Sequence, residues 1–343
     1  MFATTLTEGD VARLLSSPEL AGPAGSLVGP CPRVRLLRGR GQVFAVAGPA
    51  GEFVVRFPAD EAALSRLRHE ERVRRGMGRV VPVRVPDTRV VVPGDGQPVF
   101  AIHRMIPGKD WEHYRYEDLS DEARSALAAD LIGFLHATHS VPLSDACEWL
   151  GIGYTGESTR KELARLEGKP GWFAPANVAE IGRRLLHRLD GELTDLFEDT
   201  AERFERLEAL PEHMVFGHGD LHGGNLALVE DGIGPRLVGV FDLENAGILD
   251  IHYDFCRLNL IDDDLQDRVV VGYRALHERS RPLDGNRIEI YSRAFLLYLM
   301  GEQPEADGRI SVARLANYQS LVELLRRHVE HHDARRGPLG RAS

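Results

Sequence analysis

Cysteine is scarce in this sequence. The 343 residues hold three, Cys31, Cys147 and Cys256. Their odd number and long spacings argue against a disulfide framework and against a zinc site built on thiolates. Positive charge is also in short supply, with 42 Lys and Arg against 52 Asp and Glu and a net charge of −10. That sign argues against a nucleic-acid backbone or an anionic membrane as the main partner, and mildly favours a cationic ligand. Apolar runs stay far below the ~20 residues of a membrane span; the best is Ala294 to Met300. The N-terminus, MFATTLTEGD, has no basic segment followed by an apolar one, so no signal peptide is visible. Internal repeats and low-complexity blocks are missing too. A soluble, cytoplasmic protein is expected.

What is present suits an ordinary packed core, with 43% hydrophobic and 27% charged residues. The length fits one large or two modest domains of ~100–200 residues. The first third reads as strands with one helix. Val34–Leu37, Val43–Val46 and Phe53–Phe57 favour β structure, and Gly48-Pro49-Ala50-Gly51 joins the last two as a hairpin. Residues 59–76 read as a helix with Ala63, Leu64 and Leu67 on one face, from which Glu70 or Glu71 projects inward. Strands follow near Val90–Val92 and Val99–His103, and Pro107-Gly108 then breaks the pattern. Beyond it the chain turns mostly helical. Ser120 is a candidate N-cap for a helix reaching His139, and residues 176–209 also read as helix. A short β-rich stretch interrupts at Met214–Gly217, Asn225–Leu228 and Leu237–Phe241, and helices resume to about His332, with fraying from Arg335. The expected architecture is α+β: residues 1–104 form a small β-rich lobe, residues 105–343 a larger helical lobe, with a linker near 103–108. Clefts between lobes are common ligand sites.

Chemistry concentrates in His218-Gly219-Asp220-Leu221-His222-Gly223-Gly224-Asn225, a glycine-rich polar loop between apolar strands. A second apolar strand ends at Asp242-Leu243-Glu244. Phosphoryl transfer needs a carboxylate for the acceptor hydroxyl, oxygen ligands for magnesium, and a clamp on the phosphates. His218-x-Asp220-x4-Asn225 has the H-x-D-x4-N spacing of the protein-kinase catalytic loop, and Asp242 then stands at the metal-binding Asp of Asp-Phe-Gly. A rival reading takes His218, Asp220, His222 and Asp242 as a zinc hydrolase site, since alternate residues of a strand share a face. The glycines argue for a loop instead.

These motifs resemble the aminoglycoside phosphotransferase family, relatives of macrolide phosphotransferases and choline kinases with a protein-kinase-like fold. His218–Asn225 matches its H-G-D-L-H-x-G-N signature. Asp242-Leu243-Glu244, then Asp250-Ile251-His252-Tyr253-Asp254-Phe255, matches its second motif without the proline. Met105-Ile106-Pro107-Gly108 resembles its linker, and Leu135-His136-Ala137 the end of its first large-lobe helix. The resemblance implies Asp220 as catalytic base, Asn225 and Asp242 as magnesium ligands, and His218 and Asp254 as supports of the loop. It implies Arg56 as the phosphate clamp, where lysine is the kinase norm, and Glu70 as the helix glutamate, since Arg68-His69-Glu70 resembles the family pattern. Gly39 and Gly41 resemble the phosphate-covering turn, and His103, Arg104 and Met105 fall at the nucleotide-binding linker. ATP or GTP with Mg2+ would serve as donor. The acceptor would be a small-molecule hydroxyl, on an antibiotic or related sugar-bearing compound. Metabolic small-molecule kinases and a non-catalytic nucleotide-binding relative are the alternatives. No nucleic acid or membrane partner is expected.

Acceptor contacts are sought among Glu244 and the acids of the run from Asp242 to Asp267, whose eight carboxylates accompany one base, Arg257. Asp262, Asp263 and Asp264 stand out as spare, able to steer an amine-bearing acceptor, although acids also suit a helix start. Trp172-Phe173 is a lid or ordinary packing. Cys256 reads as core within a buried helix, and His328, His331 and His332 as a solvated tail rather than a metal site.

Overall fold

A computed structural model describes residues 6–17, 32–37, 42–94, 97–157, 159, 161–163, 180, 191–208, 210–277, 283–302 and 312–336. Gly39, Gly41, Trp172, Phe173 and Cys31 lie outside the described residues. So does part of the expected helix at 176–209, of which Gly191–Arg206 is helical.

The chain opens with helix α1 (Glu8–Leu15) and continues as β1 (Arg33–Leu36), β2 (Gln42–Gly48) and β3 (Gly51–Phe57). Helix α2 (Glu61–Met77) precedes β4 (Arg89–Val91) and β5 (Phe100–Arg104). The five strands form one antiparallel sheet in the order β1-β2-β3-β5-β4. Alternation sorts its faces. Phe44, Val46, Phe53, Val55 and Phe57 are buried with Val11 and Leu15 of α1, which the sequence reading had not anticipated. Val54 and Arg56 therefore point to the opposite face. The β2–β3 hairpin pairs Gly48 with Gly51, and Gly51 takes φ +119°, which suits glycine.

Helix α2 starts where Asp60 caps it, accepting from the Ala63 N–H at 2.7 Å. Leu64, Leu67, Glu70 and Val73 recur at helical spacing and are all buried. Each of the three apolar side chains contributes ~1.5–3 kcal/mol of burial. Glu70 is 0% exposed, so its presence on that stripe demands partners.

Past Arg104 the chain docks on a second region. Lys109 and Leu228 exchange backbone hydrogen bonds at 2.9 and 2.8 Å, and Gly108 enters this contact at φ +129°. Helix α3 (Asp121–His139) begins at Ser120 as expected, the hydroxyl accepting from Ala123 N–H. It is followed by α4 (Leu143–Leu150) and α5 (Gly191–Arg206), then β6 (Met214–Gly217), β7 (Leu226–Glu230), β8 (Pro235–Val240) and β9 (Gly247–Asp250). Helices α6 (Asp263–His277), α7 (Gly285–Gly301) and α8 (Val312–Arg336) complete the described chain. The architecture is α+β, with the sheet first and a mostly helical part after it.

Several expectations need correction. Asn225 belongs to a 3-10 turn, Gly223–Asn225, not to a strand. The strand before the loop, β6, pairs with β9, which the sequence reading did not contain, while β7 pairs with β8. Cys256 is buried as expected but lies between two 3-10 turns, Ile251–Phe255 and Leu258–Leu260, rather than in a helix. The histidines near the C-terminus are not a solvated tail. His328 is 0% exposed on α8 and hydrogen-bonded to Asp263 at 2.6 Å, and His331 meets Asp267 at 2.5 Å. The apolar residues of α8 alone did not reveal that these histidines face α6. Among the described residues no helix is long and apolar enough to cross a membrane.

Candidate active site

Strand β6, buried at every residue, delivers His218 to the loop, and Asp254 holds it there. The carboxylate accepts from the His218 N–H at 2.8 Å and from the Gly219 N–H at 2.7 Å. It also contacts His139 Nε2 at 3.1 Å, whose other nitrogen meets the Tyr273 hydroxyl at 3.0 Å. Burial alone would raise the Asp254 pKa; His139, His218 and the Gly219 N–H outweigh it and lower it. A carboxylate with a depressed folded pKa stabilises fully above its unfolded value and loses that contribution as pH falls through the folded one. The fold is therefore expected to lose stability in acid below about pH 4, and His139→Phe should move that loss to higher pH in pH-dependent denaturant melts.

His218 Nδ1 accepts from the Asp220 N–H at 3.1 Å, so Nε2 carries the proton and donates to the Phe241 carbonyl, also at 3.1 Å. Burial lowers its pKa, which favours that neutral tautomer. Gly219 sits at φ +71°, and a Cβ there would collide with the Asn245 carbonyl. Gly223 lies against Trp111, whose Cβ would be 2.6 Å from an added methyl. The motif glycines thus let neighbouring segments close on the loop.

The loop presents Asp220 at its turn, with a side chain 16% exposed. One oxygen pairs with Arg257, a buried guanidinium lying 4.2 Å from the Phe295 ring and donating to the Tyr253 hydroxyl at 2.7 Å. The other oxygen accepts from the Asn245 amide at 3.3 Å. Asn225 Nδ2 donates to the Asp220 carbonyl at 2.8 Å, which turns the Asn225 amide oxygen away from it, and the Asn225 carbonyl accepts from Phe241 N–H at 3.0 Å. Asn225 therefore stands beside Asp242.

Asp242 is the one non-glycine residue with positive φ among the described residues, at φ 64° and ψ 65°. Such a conformation costs on the order of 1 kcal/mol. Its Oδ1 is buried with no hydrogen-bond partner. On the sheet side, Arg56 donates to Glu70 at 2.7 Å, and Thr88 donates to the other Glu70 oxygen at 2.9 Å. Burial disfavours the Arg56 charge, but Glu70, Asp242 and Glu244 outweigh it and raise its pKa. His69, next to Glu70, bonds the Ala246 carbonyl at 2.7 Å and fixes α2 against the segment after Asp242. Glu244 pairs with Arg66 at 3.2 Å. Glu71 lies instead 3.4 Å from Arg75.

The structure thus gathers Asp220, Asn225, Asp242, Arg56, Glu70, Glu244, His218 and Asp254. His103 is nearby, opposite Val54 in the β3–β5 register, and Met105 donates to the Glu52 carbonyl at 2.9 Å. Arg104 leaves the group: its guanidinium lies over Phe53 and bonds the Ala50 carbonyl at 2.8 Å, on the sheet face opposite Arg56.

Nor are the three aspartates at 262–264 spare. Asp262 caps α6 by accepting from Asp264 N–H at 2.9 Å. Asp263 holds His328, and Asp264 accepts from the Tyr116 hydroxyl and Arg268 Nε, both at 2.7 Å. Asp263→Asn is expected to destabilise the fold by ~1–3 kcal/mol, read by denaturant melts, and to leave acceptor KM unchanged. A changed KM with unchanged stability would return Asp263 to the site.

The zinc reading fails on the same contacts, because both nitrogens of His218 are committed to backbone groups. His222 Nδ1 likewise accepts from Gly224 N–H at 3.1 Å. Among the described residues the cluster within metal-ligand reach is His213, Asp250 and His252. There Asp250 holds Arg287 and His252 at 2.5 Å each, and His252 Nε2 accepts from Asp284 N–H. Sequence reasoning missed Arg257, Asn245 and His139; a lone base among eight acids was the available signal for Arg257.

A carboxylate on the loop, an amide and a buried carboxylate oxygen near it, and a sheet cation braced by a helix glutamate thus lie in one group. The chain belongs to the phosphotransferase enzyme family, whose model matches residues 34–285. Its fold is similar to the GDP and kanamycin complex of APH(2″)-IIIa, with TM-score 0.61 and 18% identity over 88% of this chain and 94% of that one. It is also similar to macrolide 2′-phosphotransferase type I (TM-score 0.57, 18% identity, 95% and 97% covered). The macrolide 2′-phosphotransferase MphH of Brachybacterium faecium gives TM-score 0.57 and 20% identity, with 90% and 97% covered. No curated protein sequence is significantly similar to the chain.

Proposed function

We propose that the protein transfers the terminal phosphoryl group of ATP or GTP to a hydroxyl of a small molecule, with Asp220 as the group that orients and deprotonates that hydroxyl. The observation that carries this reading is the pairing of a buried, unpartnered Asp242 Oδ1 in a left-handed backbone with Asn225 beside it and Asp220 on the same loop. Two hard oxygen donors fit a magnesium ion. Asn225 and Asp242 would hold it, and when bound it would neutralise phosphate charge. Arg56, braced by Glu70, faces the phosphates. Asp254 and His218 fix the loop so that Asp220 keeps its aim. Nucleotide is proposed to bind between residues 1–104 and the part from 105 onward, near His103 and Met105. A nucleoside-triphosphate donor supports the cytoplasm as the place of action.

The acceptor is proposed to be a hydroxyl-bearing antibiotic or a related sugar-bearing compound, because fold neighbours are aminoglycoside and macrolide phosphotransferases. The acidic run at 250–267 gives no reason to require an amine on it, since Asp250, Asp254, Asp263, Asp264 and Asp267 are paired inside the protein. The test is transfer of labelled γ-phosphoryl from ATP and GTP to a panel of aminoglycosides, macrolides and neutral sugars. A labelled product that needs magnesium and is not restored by zinc supports the reading. Donor hydrolysis or transfer that zinc alone sustains opposes it.

Arg56→Ala is expected to raise nucleotide KM and lower kcat, with a combined loss of ~10²-fold or more in kcat/KM. Arg56→Lys should retain part of the activity, because charge survives while the two-pronged guanidinium contact is lost. Normal kinetics in Arg56→Ala would move the clamp to Arg38 or Arg40, which lie outside the described residues.

A further inference from the structure

Away from the catalytic loop, Arg74, Arg75, Arg79 and Arg84 line a cavity of about 660 Å³, together with Asp87 and the linker residues Arg104, Met105 and Ile106. None of Arg56, Asp220, Asn225 or Asp242 lines it. Its size suits a small ligand. Five arginines against one carboxylate is an unusual balance in a chain of net charge −10, and Arg104 already bonds the Ala50 carbonyl.

The end of α2 accounts for part of this. Cations in a last helical turn offset the macrodipole, and Arg74 and Arg75 stand there. Arg74 also holds Asp87, and Arg75 lies 3.4 Å from Glu71. Arg79 and Arg84 lie beyond the helix, and among the described residues neither side chain has an ion pair or hydrogen bond. The Nε of Arg74 is buried without an acceptor. Converging like charges and an unmet donor both call for an anion.

We propose that this cavity is a second ligand site, one that takes the phosphate group of a small anion, either free in solution or carried on a phosphorylated metabolite. Guanidinium groups match phosphate oxygens in charge and geometry. The walls also give the site a reach into catalysis. Arg74 lies one turn beyond Glu70 on α2. Arg84 is bonded on both sides to β8, through Val238 at 3.0 Å and Val240 at 2.9 Å, and that strand leads to Asp242. An anion held between Arg74 and Arg84 ties the helix that carries Glu70 to the strand that leads to Asp242.

The test is calorimetric titration of the whole protein, free of magnesium, with inorganic pyrophosphate, inorganic phosphate and a sugar phosphate in turn. Saturable binding is expected with a Kd at or below ~1 mM, weakening as salt rises. Arg79→Ser with Arg84→Ser should weaken it about tenfold or more, and Arg56→Ala should leave it unchanged. Binding of inorganic phosphate points to the free anion as ligand, whereas preference for the sugar phosphate points to a metabolite. Absence of saturable binding overturns the proposal, as does unchanged binding in the double serine variant. Loss in Arg56→Ala overturns it too, by assigning the binding to the nucleotide site. All three readouts are independent of turnover.

Discussion

Asp220→Asn is expected to lower turnover by ~10²–10⁴-fold, the usual worth of a positioned general base, while nucleotide affinity stays close to that of the unmodified protein. The substitution keeps shape and removes the charge and the basic oxygen. The proposed nucleotide contacts, Asn225, Asp242 and Arg56, lie apart from that carboxylate, whose own oxygens meet Arg257 and Asn245. One side effect needs a control. Arg257 is buried and loses its counter-charge, so stability should fall, and a melt must accompany the kinetics. Arg257→Met, which removes the cation instead, should keep nucleotide binding and lower turnover, because Asp220 loses the partner that holds one of its oxygens. Near-normal turnover in Asp220→Asn would remove this residue from the mechanism.

Asp242→Asn is expected to lower kcat/KM for the nucleotide by ~10²–10³-fold, a loss comparable to that of one preorganised electrostatic contact. Asparagine tolerates the left-handed backbone that Asp242 adopts, so the fold should stand while the anionic ligand is lost. Asp242→Ala removes the same ligand and adds backbone strain of ~1–2 kcal/mol; it should melt earlier as well. Titrating magnesium separates the two outcomes. If the Asn variant binds magnesium–nucleotide as tightly as the unmodified protein, Asp242 is not a ligand.

Much of this geometry was legible in the sequence, for identifiable reasons. Loop chemistry is local: His218, Gly219, Asp220 and Asn225 act within a few residues of one another, so their spacing carries their arrangement. Helical periodicity left Glu70 and Glu71 open and the resemblance favoured Glu70; of the two, Glu70 is the buried one, whereas Glu71 lies beside Arg75. Ser120 was readable because a cap is a local device. What stayed hidden depends on partners distant in sequence. Asp263 and His328 lie on α6 and α8, and nothing in either helix announces the other. The pairing of β6 with β9 was missed because β9 is four residues long and follows directly on the turn after Asp242. Arg104 looked like a linker residue by position, yet strand alternation sends its side chain to the face that carries Phe53. The acidic run misled for a physical reason: a carboxylate count cannot tell a binding wall from a set of internal ion pairs.

The measurement closest to the central claim compares the unmodified protein with Asp220→Asn. Both are given labelled ATP or GTP and an accepting compound, with magnesium and then with a chelator. Labelled product should form in the unmodified protein only with magnesium and should nearly vanish in Asp220→Asn, although that variant still binds nucleotide. Undiminished transfer by Asp220→Asn, or transfer that persists without magnesium, would contradict it.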